Sequence, residues 1–464
     1  MNPPTPTRMP PHPDAPSPVS FRQALRFWLW LGCISFGGPA GQMALMHEEL
    51  VVRRRWISEK RYLHALHYCM LLPGPEAQQL ATYMGWLMHG RRGGIAAGAL
   101  FVLPSLLLLI LLSWAYTVWG QHAGGQALLW GLKPAVTALV LQAAHRMAKR
   151  TLKSPWLWAL AALSLIGTLW GLPFPVILLG AALTGLVMTR TLAQPTAPNH
   201  AHHPRVTAPG LASPEHAPAL RPTAAAWLDD DSPAPAHTHY SHRRLLRAML
   251  VGLGIWALSL GLMAWLFGTD HTLTQMGGFF TQAALLTFGG AYAVLPFVTQ
   301  AAVAQYGWLT AAQMMDGLAL GETTPGPLIM VVAFVGFLGG HSQALWGQPL
   351  LGGIVAACTV TWFTFLPSFV FILAGAPLVE STRHMPSLAG PLQAITAAVI
   401  GVIVHLAGVF AQHTWLPGGW HAGPDVGAVL LTLLATWLLI HKQQDVVKVL
   451  GLCAIAGLGW QLAF

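Results

Sequence analysis

The sequence predicts an all-α polytopic membrane protein. It would consist of two homologous halves of inverted topology, with broken or re-entrant helices and about 13 membrane segments. Three observations predict this class. Of 464 residues, 54% are hydrophobic and only 8% are charged, whereas a soluble domain carries about 25% charged residues. The apolar runs are continuous rather than alternating, which favours helices over a β-barrel, because lipid offers the backbone no partners. Finally, motifs of the first half return in the second.

The apolar segments fall near 22–46, 62–90, 93–116, 126–148, 156–170, 173–189, 245–268, 272–300, 312–338, 350–375, 387–410, 425–441 and 446–463. Before them, MNPPTPTRMPPHPDAPSPVS has no apolar core, so no cleavable signal peptide is expected. The first segment holds SFGG (Ser35 to Gly38), followed by Trp56 and by LLPGP ending at Pro75. The second half answers with TFGG (Thr287 to Gly290), Trp308 and TTPGP ending at Pro327. Phe36 with Phe288, Trp56 with Trp308 and Pro73 with Pro325 are each 252 residues apart. After an insertion of 11 residues, FVLPS at Phe101 is answered by FTFLPS at Phe363, and AVTA at Ala135 by AITA at Ala394. Four matches in register define an internal duplication.

Charge sets the expected orientation. Arg22 and Arg26, the loop Arg53 to Arg61, and Arg91-Arg92 would alternate between sides if segments one and two each crossed the bilayer. That conflicts with the positive-inside rule. The conflict disappears if both segments are re-entrant hairpins, broken at Gly37-Gly38-Pro39 and at Pro73-Gly74-Pro75. The corresponding loops of the second half, around Trp308 and Trp346, carry no charge, as expected for a half inserted upside down. The expected organisation is a disordered tail over 1–20, a first repeat over 21–190, and a disordered cytoplasmic Pro/Ala/His-rich linker over 191–242. A connecting transmembrane helix over 243–270 and a second, inverted repeat over 271–464 follow. The N-terminus would be cytoplasmic and the protein multi-pass in the plasma (inner) membrane. The linker histidines, including His237, His239 and His242, read as solvated rather than metal-binding. Cys33, Cys69, Cys358 and Cys453 are scattered in apolar context and read as inert packing residues.

Broken helices in inverted repeats recur in secondary transporters, with substrate held near the midplane. Pro-Gly-Pro stops one half-helix and starts another whose free N–H groups and positive dipole end suit an anion. The candidate binding residues are therefore Ser35, Gly37, Gly38, Pro73, Gly74, Pro75, Gln78 and Gln79 in the first half. Thr287, Gly289, Gly290, Thr323, Thr324, Pro325, Gly326 and Pro327 are their counterparts in the second. Lys133, the lone cation expected inside the membrane, either neutralises an anion or extends its amine to the interface. Glu76 and Glu322 are candidates for proton coupling, because an intramembrane acid beside an anion path is useful only if it takes up a proton. Each of these side chains also has a plain structural reading, as a cap, a kink or a helix-packing contact.

FGGPAGQMA (Phe36 to Ala44), LPGPEAQQLATYMGW (Leu72 to Trp86), FVLPS (Phe101 to Ser105), TFGGAYAVLP (Thr287 to Pro296) and GETTPGPL (Gly321 to Leu328) together resemble the chromate ion transporter family in its long, two-domain form. The resemblance implies export of chromate from the cytoplasm, chromate resistance, a link to the proton motive force, and sulfate as a competitor. A dianion leaving a cell that is negative inside gains about 4.6 kcal/mol per 100 mV, so export needs no nucleotide. No GxxxxGK[ST] loop is present, and neither cofactor nor metal is expected. The absence of HExxH and GxSxG argues against an intramembrane enzyme, and nothing suggests nucleic acid as a partner. The lipid bilayer is the expected surrounding and a homodimer is one assembly considered. Uptake or exchange of sulfate or molybdate is the alternative transport reading, and a channel is the other.

Overall fold

The computed structural model describes residues 16–120, 122–192, 225–230, 235, 237–238, 240–381, 389–419, 421 and 423–463, and their regular structure is helical. Helix α1 (Phe21–Ile34), capped by the Ser20 hydroxyl, stops at Ser35, and Gly37 and Gly38 turn the chain with φ of 90° and 68°. Pro39 then opens α2 (Gly38–His47), which runs on as a π-helical turn, Glu48–Arg53. The return is antiparallel. The Arg54 guanidinium lies over the rings of Phe27 (5.0 Å) and Trp30 (5.8 Å), and Trp56 packs edge-on to Phe27. The Ser58-capped helix α3 (Glu59–Leu71) ends at the Pro-Gly-Pro break, where α4 (Glu76–Trp119) begins.

By length and composition α4 is one apolar helix of 44 residues, yet His89 and Gly90 leave helical geometry and the chain doubles back. Gly85 therefore backs onto Gly93 and Ala97, and Gly98 onto Gln78 and Thr82. The short arm, 76–88, is ~20 Å long and the long arm, 91–119, ~43 Å, against a hydrocarbon thickness of ~30 Å. His89 Nε2 lies 2.9 Å from the Val19 carbonyl and its ring packs on Phe21. The starts of α1 and α3, the end of α2 and the turn of α4 thus share one end of the molecule, rich in arginine.

The second half repeats this path. Helix α9 (Thr272–Leu285) and α10 (Ala291–Thr299), with its π turn Gln300–Gln305, correspond to α1 and α2. Trp308 packs on Phe279 and Phe280, and its N–H donates to Ala302 at 2.8 Å, as Trp56 N–H does to Leu50. Helix α11 (Ala311–Thr323) carries a capping box at Thr310. After Pro325-Gly326-Pro327 the chain forms a 3₁₀ turn, Leu328–Met330, and α12 (Val331–Gln343). Gly340 then backs onto Gly352 and Ala356 of α13 (Pro349–Ser381). The long arm of α4 finishes beside α11, where Tyr116 donates to Asp316, while α13 finishes beside α3, with Tyr68 against Phe371 and Gly375. Each long arm therefore runs from the base of its own half to the base of the other.

The remaining helices interlock the halves. Helix α5 (Ala123–Thr151) packs against α15 (Val426–Ile440) and α16 (Val446–Ala463), with Gly131 close to Cys453 and Gln142 donating to Leu439. Helix α14 (Ala389–Trp415) packs against α6 (Pro155–Leu169) and α7 (Phe174–Leu192), where Ser164 donates to Ala398 at 2.6 Å. Among the described residues five helices, α4, α5, α8 (His242–Phe267), α13 and α14, are long and apolar enough to cross a membrane. In α8 only Gly252 is buried, and leucines such as Leu250, Leu253 and Leu258 are exposed, so these have apolar surroundings only if lipid supplies them.

One segment differs from the linker expectation. Trp227 and Leu228 pair with the loop before α3, through Trp227 N–H to Arg55 and Leu228 N–H to Trp56, each at 3.0 Å. Asp230 accepts from the Ser58 hydroxyl at 2.7 Å, and the His237 ring packs on Trp86 with Nε2 2.9 Å from its carbonyl. The apolar Trp-Leu pair finds cover on the hydrophobic base of α1 and α3, where Leu228 is buried. Residues 1–15, residues 193–224 and His239 lie outside the described residues.

Candidate functional site

The four helix breaks meet. Gly74 N–H donates to the Thr287 carbonyl at 2.8 Å, and Gly326 N–H donates to the Ser35 carbonyl at 2.8 Å. These bonds are the same bond with the halves exchanged, since both donors and both acceptors are 252 residues apart. Each glycine has φ above 100° and no room for a side chain: a Cβ on Gly74 would strike Ser368, and one on Gly326 would strike Ser105. Gln42, fully buried, donates to the Ser35 and Gly326 carbonyls and reinforces one of the two crossings.

Beside this crossing, on the arginine-rich side, is a cavity of about 360 Å³. The first turn of α2 (Gly37 to Ala40) and the first turn of α10 (Gly289 to Tyr292) reach it from the two halves. Neither helix has a side-chain cap, so their first N–H groups and dipole ends remain available to a ligand. Helix α4 adds Glu76, α11 adds Glu322, and α5 adds Gln142, Arg146 and Arg150. Both arginines thus share the cavity with both glutamates. The Tyr292 hydroxyl donates to Glu322. A water occupies ~30 Å³ of liquid, so the cavity has room for a small oxyanion together with part of its hydration.

Of the residues expected from sequence, Gly37, Gly38, Glu76, Gly289, Gly290 and Glu322 line this cavity. Ser35, Gly74, Thr287 and Gly326 form the crossing instead. The hydroxyls of Ser35 and Thr287 donate to the carbonyls of Leu31 and Ala283, one helical turn back, and those of Thr323 and Thr324 to Leu320 and Gly321. Their protons are thereby committed to backbone. Gln78 donates to Thr82 and Gln79 to Pro73 and Ser368, so both amides brace the α4 turn and the break. Pro73, Pro75, Pro325 and Pro327 shape the breaks without lining the cavity. The helix starts that converge on it are those after the FGG motifs, joined by α4 alone of the two Pro-Gly-Pro helices. Lys133 lies in a separate cavity near Asp316.

Arg146, Arg150 and Tyr292 were missed by the sequence reading. A signal existed: Gln142, Arg146 and Arg150 recur every four residues and share one face of α5. A basic run at a helix end reads by default as a topological anchor, which concealed it.

Broken helices from both halves meet at one cavity lined by two arginines and two uncapped helix starts, an arrangement that recurs in membrane transport proteins. The chromate transporter family profile matches residues 22–186 and 274–458. The chain belongs to the chromate transporter family. It is 31% identical to a chromate transport protein of Pseudomonas aeruginosa over 448 residues, 95% of this chain and 93% of that one. It is 27% identical to a probable chromate transport protein of Synechococcus elongatus (94% and 95% covered) and to a chromate transport protein of Cupriavidus metallidurans (92% and 89%). No solved structure matches.

Proposed function

We propose that this protein exports chromate from the cytoplasm across the inner membrane, driven by membrane potential and proton motive force, and so confers chromate resistance. The observation that carries the reading is the cavity where Arg146 and Arg150 face two uncapped helix starts beside the crossed breaks. In this reading the halves are inverted in the membrane and the arginine-rich end, with the N-terminus, is cytoplasmic. A chromate dianion entering from that end replaces Glu76 and Glu322 as the partner of the arginines, and a proton taken up by either glutamate removes the competing charge. Positioning by arginine suits a tetrahedral oxyanion, because its planar fork offers paired donors.

A second reading is a carrier of sulfate or a related oxyanion. The size of the cavity favours it, since an anion held with some of its water is selected by charge and donor number more than by fit. Inside-out membrane vesicles separate the two. Labelled chromate should accumulate under an imposed potential, positive inside, and excess sulfate should slow it. No chromate accumulation together with clear sulfate movement would transfer the assignment to sulfate. Glu76→Gln and Glu322→Gln should alter the pH dependence of uptake; if neither does, proton coupling through these acids is wrong.

A further inference from the structure

The molecule holds a second cavity of about 620 Å³ on the other side of the crossed breaks, between α4, α5, α11 and α16. Lys133 of α5 and Asp316 of α11 line it, with Tyr116, Thr310 and Gln313. Tyr116 donates to Asp316 Oδ2 at 3.0 Å, and Lys133 lines the same cavity as this acid. Asp316 is 3% exposed, and its Oδ1 has no hydrogen-bond partner. A buried carboxylate oxygen without a partner is costly and calls for a donor, which a water or the Lys133 ammonium in the same cavity can supply.

The same three parts occur in the arginine cavity. There α5 supplies Arg146, α11 supplies Glu322, and Tyr292 donates to the acid. Helix α5 thus carries a cation to each cavity, 13 residues or ~20 Å apart, and α11 carries an acid to each. The recurrence does not follow from the duplication, because one and the same pair of helices serves both cavities.

We propose that the Lys133–Asp316 cavity is a second oxyanion station, through which the transported anion leaves on the far side of the crossing. The inference rests on the transport reading above and adds a residue-level exit to it. Lys133 attracts the anion with a single ammonium, and Asp316 competes for that ammonium. The station is therefore weaker than the arginine cavity, as release requires: a permeating ion must be bound well enough to enter and loosely enough to leave.

The two residues make opposite predictions. In equilibrium binding of labelled chromate and of sulfate to the full-length protein in nanodiscs, the wild type should take up two oxyanions, one weakly. Lys133→Gln should lose the weak one or weaken it about tenfold, and Lys133→Arg should retain it. Asp316→Asn, which keeps shape and removes the competing charge, should tighten it about tenfold and slow turnover in proteoliposomes. A purely structural role would make both substitutions harmful in the same direction. One bound oxyanion, lost in Arg146→Gln and untouched by Lys133→Gln and Asp316→Asn, overturns the second station and leaves the transport reading standing. No oxyanion bound by the folded wild type overturns both.

Discussion

The two halves agree in backbone and differ in chemistry. Both reverse at FGG, form a π turn six residues long and bring a tryptophan back onto an aromatic ring of their first helix. Both break at Pro-Gly-Pro and donate from its glycine to the other half. Yet the first break is followed at once by Glu76 and the second by Leu328, with Glu322 placed ahead of it. The loop after the first π turn carries Arg54 and Arg55, whereas that after the second reads YGWLT. The lesson is that duplication preserved what the backbone needs, a turn, a break and a crossing bond. The side chains that meet solvent, lipid or ligand were free to diverge.

The strongest way to break this comparison is at the crossing. Gly74→Val and Gly326→Val each force a side chain into a positive-φ position with no space, at a cost on the order of 3 kcal/mol from strain and overpacking. Both should abolish vesicle uptake and lower the thermal unfolding midpoint of the purified protein by similar amounts. Unequal effects would mean that the two crossing bonds are not equivalent. Next in size are the groups without a symmetry mate. Arg146→Gln and Arg150→Gln should each cut chromate transport roughly 10- to 100-fold, at about 1.5–3 kcal/mol per charged hydrogen bond, with an increase in half-saturation concentration. Lysine at either position should recover part of it. Tyr292→Phe removes one donor to Glu322 and should cost about threefold to tenfold in rate. If it is silent, the Tyr-acid pair has no role in the cycle. The smallest effect belongs to the loop that differs most in charge. Neutralising Arg55 to glutamine, which leaves the pairs of Arg53 and Arg54 with buried Glu49 in place, should change stability by roughly 1 kcal/mol or less. A membrane-impermeant label on a cysteine introduced into that loop would detect any change in orientation, which the proposed topology expects to loosen.

What the sequence made legible was what backbone chemistry dictates. Gly37, Gly38, Gly74, Gly289, Gly290 and Gly326 all adopt positive φ at the breaks where they were expected. The separation of 62–90 from 93–116 was visible because Arg91-Arg92 interrupts the apolar run, even though the helix is nominally continuous there. Tertiary contributions were less visible. The pairing of Trp227 and Leu228 with the loop at Arg55 joins residues far apart in the chain and leaves no local pattern. The same holds for Arg146 and Arg150, whose place in a cavity depends on how α5 lies between elements of both halves. Hydroxyls such as Ser35 and Thr287 looked like ligands by type, but each satisfies a carbonyl of its own helix, an option always open to serine and threonine in lipid.

The crossed bonds at Gly74 and Gly326 have a consequence for heredity. Neither half completes its own tip: the carbonyl that receives each glycine lies on the other. A displacement of the backbone at either tip is therefore felt in both halves, because each crossing bond joins one to the other. Carrying both in one reading frame fixes their ratio at one to one, so that no tip is synthesised without the surface that finishes it.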